Sequence, residues 1–325
     1  MTTVSHVLNN TPHRPVAPET RKRVLEIAQK LNYYADAAAR RLARSRSDLF
    51  GLILFEIANP FFSDVIEGFQ RAVLKRGFDF LLWNTEYDQE RLSAGVRKLI
   101  ENKVRGVAVV TSMIDRSSLV QLASRDILVV LLGSGPAEPW ISQIDVTSQG
   151  MSEAVDHLLG LGHEQIAFVS GPPNIHSATR VRDSFLETIQ ERHVAPCRMV
   201  ASNYRVDGGE SAVRALLGQS SFPTAIVCGN DLIALGVISA LEQNSIKVPE
   251  QVSVVGNDDI LYAQLAHPPL TTVHVPRKEL GRLAFGSLER MLRSNGGKGR
   301  VDRVSTQLIM RKSTTTPCCV NLTQD

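Results

Sequence analysis

The chain has 325 residues, 43% of them apolar and 21% charged, which is enough for two or three globular domains and too apolar for a disordered chain. No apolar run reaches the 18 residues that suggest a membrane span, and the N-terminus lacks the apolar core of a signal peptide. The net charge of +3 is unevenly placed: residues 1–47 hold nine Lys/Arg against three Asp/Glu, and the rest holds 27 basic against 30 acidic residues. A basic arm on a mildly acidic body points to a polyanionic partner for the arm.

In chain order, "TTVSHVLNN" (2–10) predicts a short helix, with Val4, Val7 and Leu8 on one face and Asn9-Asn10 as its stop. Thr2, Thr3, Ser5 and His6 fill the polar face. After the turn-rich "TPHRPVAP", Pro18 opens a second helix with Val24, Ile27, Ala28 and Leu31 as its apolar stripe. Segment 35–47, "ADAAARRLARSRS", favours helix but has one large apolar residue, Leu42, among Arg40, Arg41, Arg44 and Arg46. Two readings stand for it: a charged linker helix, or a helix that forms when its arginines meet phosphates and Leu42 enters a base step.

From Leu49 the pattern alternates strand and helix. "LFGLILFEI", "FDFLLWN", "GVAVVTS" and "ILVVLLG" are the strands of a first run, and "QIAFVSG", "RMVAS", "TAIVCGN" and "VSVVGND" those of a second that starts near Ser148. This alternation predicts an α/β fold with two doubly wound parallel sheets, each binding at its strand C-termini. Cys197, Cys228, Cys318 and Cys319 have no metal-ligand spacing and read as free thiols in a reducing compartment, so the expected location is cytoplasmic. The sequence holds no GxSxG, Walker, HExxH or GxGxxG motif, and no enzyme, cofactor or metal is expected.

"TVSHVLN", "PETRKRVLEIAQKLNY" and "ARRLARSRS", followed by "NPFF", "LLGLGHEQIAFVSG", "TAIVCGNDLIALG", "VSVVGNDD" and "PPLTTVHVP", resemble the lactose/galactose-repressor family of bacterial transcription factors. The resemblance runs through almost the whole chain in the family's order. It implies a helix-turn-helix head (1–34), a hinge helix (35–48) and an effector core of periplasmic-binding-protein type. The expected lobes are 49–147 plus 276–302 and 148–275 plus 303–315, with a tail at 316–325. It further implies a homodimer on a near-palindromic operator, a small-molecule effector between the lobes and no membrane partner. At the start the sequence departs from the family: the helix that precedes the recognition helix is missing. The expectation is a truncated all-α head with impaired operator binding, caused by a start site placed too far downstream.

From this resemblance, Thr2, Thr3, Ser5 and His6 face the major groove, Arg40, Arg41 and Arg44 meet phosphates, and Leu42 wedges into the minor groove. Phe61, Phe62, Asp145, Ser148, Tyr204, Asn230 and Asp258 are the implied effector contacts. The family's pocket arginine lies four residues before an aromatic, which here gives Val181 before Phe185. Arg180 and Arg182 flank that position, and Arg182 is taken as the contact. Asp231 is expected to cap the following helix, Asp259 to be structural, and Gly162-His163 to close a helix, with the histidine at its negative end. This set suits a sugar, a sugar acid or a nucleobase, with a sugar or its derivative first. Two rival functions are a cytosolic effector-binding protein without autonomous DNA binding, and a periplasmic-type sugar-binding protein.

Overall fold

The structure is a computed structural model that describes residues 3–8, 16–33, 47–110, 114–133, 135, 138–194, 198–219, 221–294 and 298–317. Helices α1 (Thr3–Leu8) and α2 (Pro18–Lys30) form the N-terminal arm, with Pro18 and Glu19 in the first turn of α2 as helix starts favour. Val7 is only 2% exposed where the two helices meet. At six residues, α1 covers little of the α2 stripe: Val24 and Ala28 are half-buried, while Ile27 and Leu31 remain exposed. Arg40, Arg41, Leu42 and Arg44 lie outside the described residues, as do Thr2 and the side chain of Ser5.

The first lobe contains β1 (Leu49–Leu54), α3 (Pro60–Lys75), β2 (Asp79–Asn84), α4 (Gln89–Glu101), β3 (Gly106–Val110), α5 (Arg116–Ala123), β4 (Leu128–Leu132) and β5 (Ile141–Val146). The second contains α6 (Gln149–Gly160), β6 (Ile166–Ser170), α7 (His176–Glu191), β7 (Met199–Ala201), α8 (Val206–Leu217), β8 (Ala225–Cys228), α9 (Asp231–Gln243), β9 (Ser253–Asp258), α10 (Leu261–Leu265) and β10 (Thr271–His274). The chain then returns to the first lobe with α11 (Arg277–Arg293) and β11 (Val301–Val304), and to the second with β12 (Gln307–Ile309). The sheets run β11-β5-β4-β3-β1-β2 and β12-β10-β9-β8-β6-β7, all parallel except β12 against β10. The third crossing follows Val304 rather than residue 302, because β11 pairs with β5 from Val301 through Val304.

Parity along each strand divides the cores. Phe50, Leu52 and Leu54 of β1 pack with α3 and α11, while Leu49 and Ile53 pack on the other face with α4. Both faces are covered, so β1 is buried throughout, as its unbroken apolar run requires. Glycines bring paired helices into backbone contact in both lobes. A Cβ on Gly68 would sit 2.0 Å from the Lys278 carbonyl oxygen, and one on Gly281 2.0 Å from that of Val65. Gly209 and Gly236 make the equivalent close approach between α8 and α9.

Candidate effector cleft

A cavity of about 200 Å³ lies between the lobes, at the C-terminal ends of the strands. Its first-lobe wall begins with "NPFF". Asn59 caps α3, its Oδ1 accepting from the Phe61 amide at 3.0 Å, and Pro60 takes the first helical position. This turns Phe61 and Phe62 onto the cleft, beside Phe55. The Phe62 ring centroid is 4.9 Å from that of Phe55 and 5.1 Å from that of Phe61, giving an apolar aromatic wall.

The second-lobe wall takes one face of α7. His176, Ser177, Arg180, Val181 and Ser184 line the cavity, at the i, i+3, i+4 spacing of a single helical face. That phase corrects the expected arginine. Arg182 lies off the lining face and pairs with its neighbour Asp183 at 2.7 Å. Arg180 lines the cleft, its Nη2 donating to the Val146 carbonyl at 3.4 Å and its Nη1 3.5 Å from Asp145 Oδ1. Asp145 is not on the cavity surface but beside Arg180, and Ser148 does line the cavity.

Asn230 takes the capping role expected of Asp231, and Asp231 neither caps the helix nor lines the cavity. Asn230 is the cap of α9: its Oδ1 accepts from the Ile233 amide at 2.9 Å, and its Nδ2 donates to the Tyr204 carbonyl at 3.1 Å. It borders the cavity, yet its amide is committed to shaping the wall, including Tyr204, which has φ +63°. Asp231 is fully buried and accepts from Thr272 Oγ1 and from the Ile260 amide. Tyr204 lines the cavity and is 8% exposed, and burial pushes its phenol above its ordinary range.

Asp258 ends β9 at the cavity, 8% exposed, with φ +134°, followed by Asp259 at φ +58°. Such backbone costs on the order of 1–3 kcal/mol per residue outside glycine. Burial, reinforced by the charge of Asp231 and opposed by Arg277, pushes the Asp258 carboxyl well above the usual range. Asp259 points elsewhere, pairing with His274 at 2.8 Å and with Arg311. Sequence reasoning missed Arg277, His176, Ser177 and Asn257. Asn59 had a signal in "NP", which marks a capped helix start.

Outside the cleft, Thr3 is exposed, but His6 is not presented as expected. Both its ring nitrogens are shielded from solvent and without hydrogen-bond partners, because α1 leans on α2 at the neighbouring Val7. Gly162 closes α6 with φ +94°. The His163 ring leaves the helix end and is buried between strands, bonded to Thr224, Ser253 and the Thr315 carbonyl. Among the described residues, no cluster of three His, Cys, Asp or Glu side chains is placed to hold a metal, and no helix is long and apolar enough to cross a membrane.

Residues 155–314 match the model for a periplasmic binding protein-like domain, and residues 1–36 match that for bacterial regulatory proteins of the lacI family. A transcriptional repressor PurR of Photobacterium profundum is 35% identical over 320 residues, covering 96% of this chain and 94% of the relative. The chain belongs to the lacI family of bacterial regulatory proteins. A PurR of Haemophilus influenzae (strain PittEE) is 33% identical over 318 residues, covering 96% of this lacI-family chain and 94% of the relative. The lac repressor dimer bound to operator and the anti-inducer ONPF superimposes with a TM-score of 0.87 at 25% identity, covering 96% of this chain and 94% of that one. A transcriptional regulator CelR in complex with cellobiose gives 0.77 at 26% identity, over 96% and 95%. Membership of a regulatory family accounts for a sequence without catalytic motifs.

Proposed function

We propose that this protein is a repressor whose operator affinity is set by a small molecule held between its lobes, and that it acts as a homodimer in the cytoplasm. The cleft carries this reading: an aromatic wall from one lobe faces Asp258 and Arg180 from the other, so one compound touches both lobes at once. At about 200 Å³ the space is below the roughly 300–1,000 Å³ of drug-sized sites, and it suits a single ring. The effector in this reading is a sugar or sugar derivative whose hydroxyls bond Asp258. The aromatic wall of Phe55, Phe61 and Phe62 favours a second reading, a planar nucleobase.

Thr2, Thr3 and Ser5 face the operator in this account, with Arg40, Arg41 and Arg44 on phosphates and Leu42 at a base step. The dimer is supported by exposed Leu261, Tyr262 and Leu265 on α10, an apolar patch on the second lobe. Three measurements test the proposal. Sedimentation at micromolar concentration is expected to give twice the chain mass, and binding to genomic fragments is expected to weaken steeply as salt screens the basic arm. A thermal-shift panel of sugars, sugar acids and nucleobases identifies the effector, since a ligand at 100 times its Kd adds about 2.7 kcal/mol. A monomer without salt-dependent DNA binding, and with no stabilising compound, would overturn the reading.

A further inference from the structure

Arg277 is the first residue of α11, at the point where the chain has returned from the second lobe to the first. It is only 9% exposed. Its guanidinium serves both walls of the cleft. Nη1 donates to the main-chain carbonyl of Asp258, while Nε and Nη2 donate to Asp64 Oδ2 at 3.1 and 2.9 Å. Asp64 lies on α3, two residues after Phe62, and both Phe62 and Asp258 line the cavity. One side chain behind the cleft thus joins the acid of one wall to the aromatic helix of the other.

The carbonyl it holds belongs to a strained corner. Asp258 and Asp259 are consecutive non-glycine residues with positive φ, a conformation that persists only where the surroundings impose it. Asp259 is held by His274 and Arg311, and the Ile260 amide by Asp231, all from the second lobe. Arg277 is the restraint that comes from a first-lobe helix. A planar fork of donors is suited to this task, since it can bond a carboxylate and a carbonyl in two directions at once.

We propose that Arg277 is a positioning residue: it fixes Asp258 at the cleft and couples the backbone there to α3 of the opposite lobe. The significance for effector binding rests on the reading of the cleft above, but the coupling is a property of the ligand-free protein. A shift of the Asp258 corner is carried through the guanidinium to Asp64, and from there to the start of α3 with Phe61 and Phe62.

Hydrogen–deuterium exchange on the full, ligand-free chain tests this, with peptides spanning 253–262 and 60–68 and a thermal melt on each variant. Asp64→Asn alters a side chain of α3 whose ion-pair partners, Arg277 and Lys278, open α11, and it leaves the second lobe's own residues unchanged. It is expected to speed exchange several-fold at 257–260 in the other lobe. Arg277→Gln is expected to speed both segments, and Arg277→Lys to restore 60–68 while leaving 257–260 fast. A change in Asp64→Asn confined to 60–68 would show Arg277 to be a local brace and overturn the proposal. Should Arg277→Gln fail to fold, Asp64→Asn still decides. A coupled exchange pattern with an empty ligand panel would remove the effector reading and leave the coupling standing.

Discussion

Arg205 donates to Glu56 at 2.7 Å across the cleft, from the N-terminus of α8 in one lobe to the loop after β1 in the other. Beneath Glu56, Phe55 packs against Tyr87 with ring centroids 4.7 Å apart, and Tyr87 touches the apolar clusters of both lobes. With Arg180 beside Asp145 and Arg277 on the Asp258 carbonyl, three arginines tie one lobe to the other in the ligand-free chain.

The Arg205–Glu56 tie is expected to regulate opening rather than stability. The Arg205 side chain is 61% exposed, so solvent screening limits the pair to at most about 1 kcal/mol. Glu56→Gln is predicted to leave the melting temperature within about 3 °C of wild type. It should raise the population of lobe-open molecules by up to roughly fivefold. Distances between spin labels on the two lobes measure this, and an unchanged distribution would remove the tie as a brake on opening.

Arg180 and Arg182 differ by two positions and face different surroundings. Arg180→Ala is predicted to weaken binding of the compound that stabilises the protein most by about tenfold, near the lower end for a charged hydrogen bond. Arg182→Ala removes a surface pair with Asp183 and should change that affinity by less than about twofold. Isothermal titration of both variants distinguishes the two sites, and the reverse result would restore Arg182 as the contact.

Asp258 predicts a pH dependence of a stated sign. Below about pH 4 the carboxyl is protonated whether the chain is folded or not. Above that the unfolded chain ionises first, because burial keeps the folded group protonated, so stability falls as pH rises until the folded group ionises. Asp258→Asn should flatten this part of the curve of melting temperature against pH. A variant curve parallel to wild type would show that the Asp258 carboxyl ionises alike in both states.

His163 gives the opposite slope. Burial holds its ring below the ordinary histidine range, partly offset by the Thr315 carbonyl. That carbonyl accepts from Nε2 at 2.8 Å, which fixes the neutral ring with its proton on Nε2 and Nδ1 toward Thr224. The unfolded chain takes up the proton first, so the contribution is complete above about pH 6.5 and is lost as pH falls through that value. His163→Gln should lower stability by about 1–3 kcal/mol at pH 8 and reduce the loss on acidification. Denaturant melts at pH 8 and pH 5.5 check both, and His157, shifted the same way, supplies the slope that remains.

The central strands were readable in the sequence because both faces are covered and nearly every residue of β1, β3 and β8 had to be apolar. β5 was not readable. Its Ser142 and Gln143 are buried polar residues, with partners in Met291, Gly135 and the Arg300 amide that local pattern cannot reveal. The cleft was legible as a set of loop positions from the family pattern, and Phe61, Phe62, Ser148, Tyr204, Asn230 and Asp258 all border it. What local reading could not assign was orientation. Both Asn230 and Asp231 can cap a helix, and the choice is made by Thr272 and Ile260, which claim Asp231 from 41 and 29 residues away. The choice between Arg180 and Arg182 depended on the rotational phase of α7, set by Phe185 in its core. Arg277 carried no sequence signal, since its two partners lie 213 and 19 residues away.

The paired glycines restrict how such a molecule can move. At Gly68 and Gly281 the helices α3 and α11 meet main chain to main chain, with no side-chain layer between them to slide over, and Gly209 and Gly236 do the same for α8 and α9. Shear inside a lobe is therefore expected to be small, with each lobe moving as a stiff unit. The chain crosses between the lobes at the short spans 147–148, 275–276 and 305–306, where relative motion is expected to concentrate. A displacement of a few tenths of an ångström at the cleft would then reach the outer edge of the first lobe enlarged by leverage rather than dissipated in the packing.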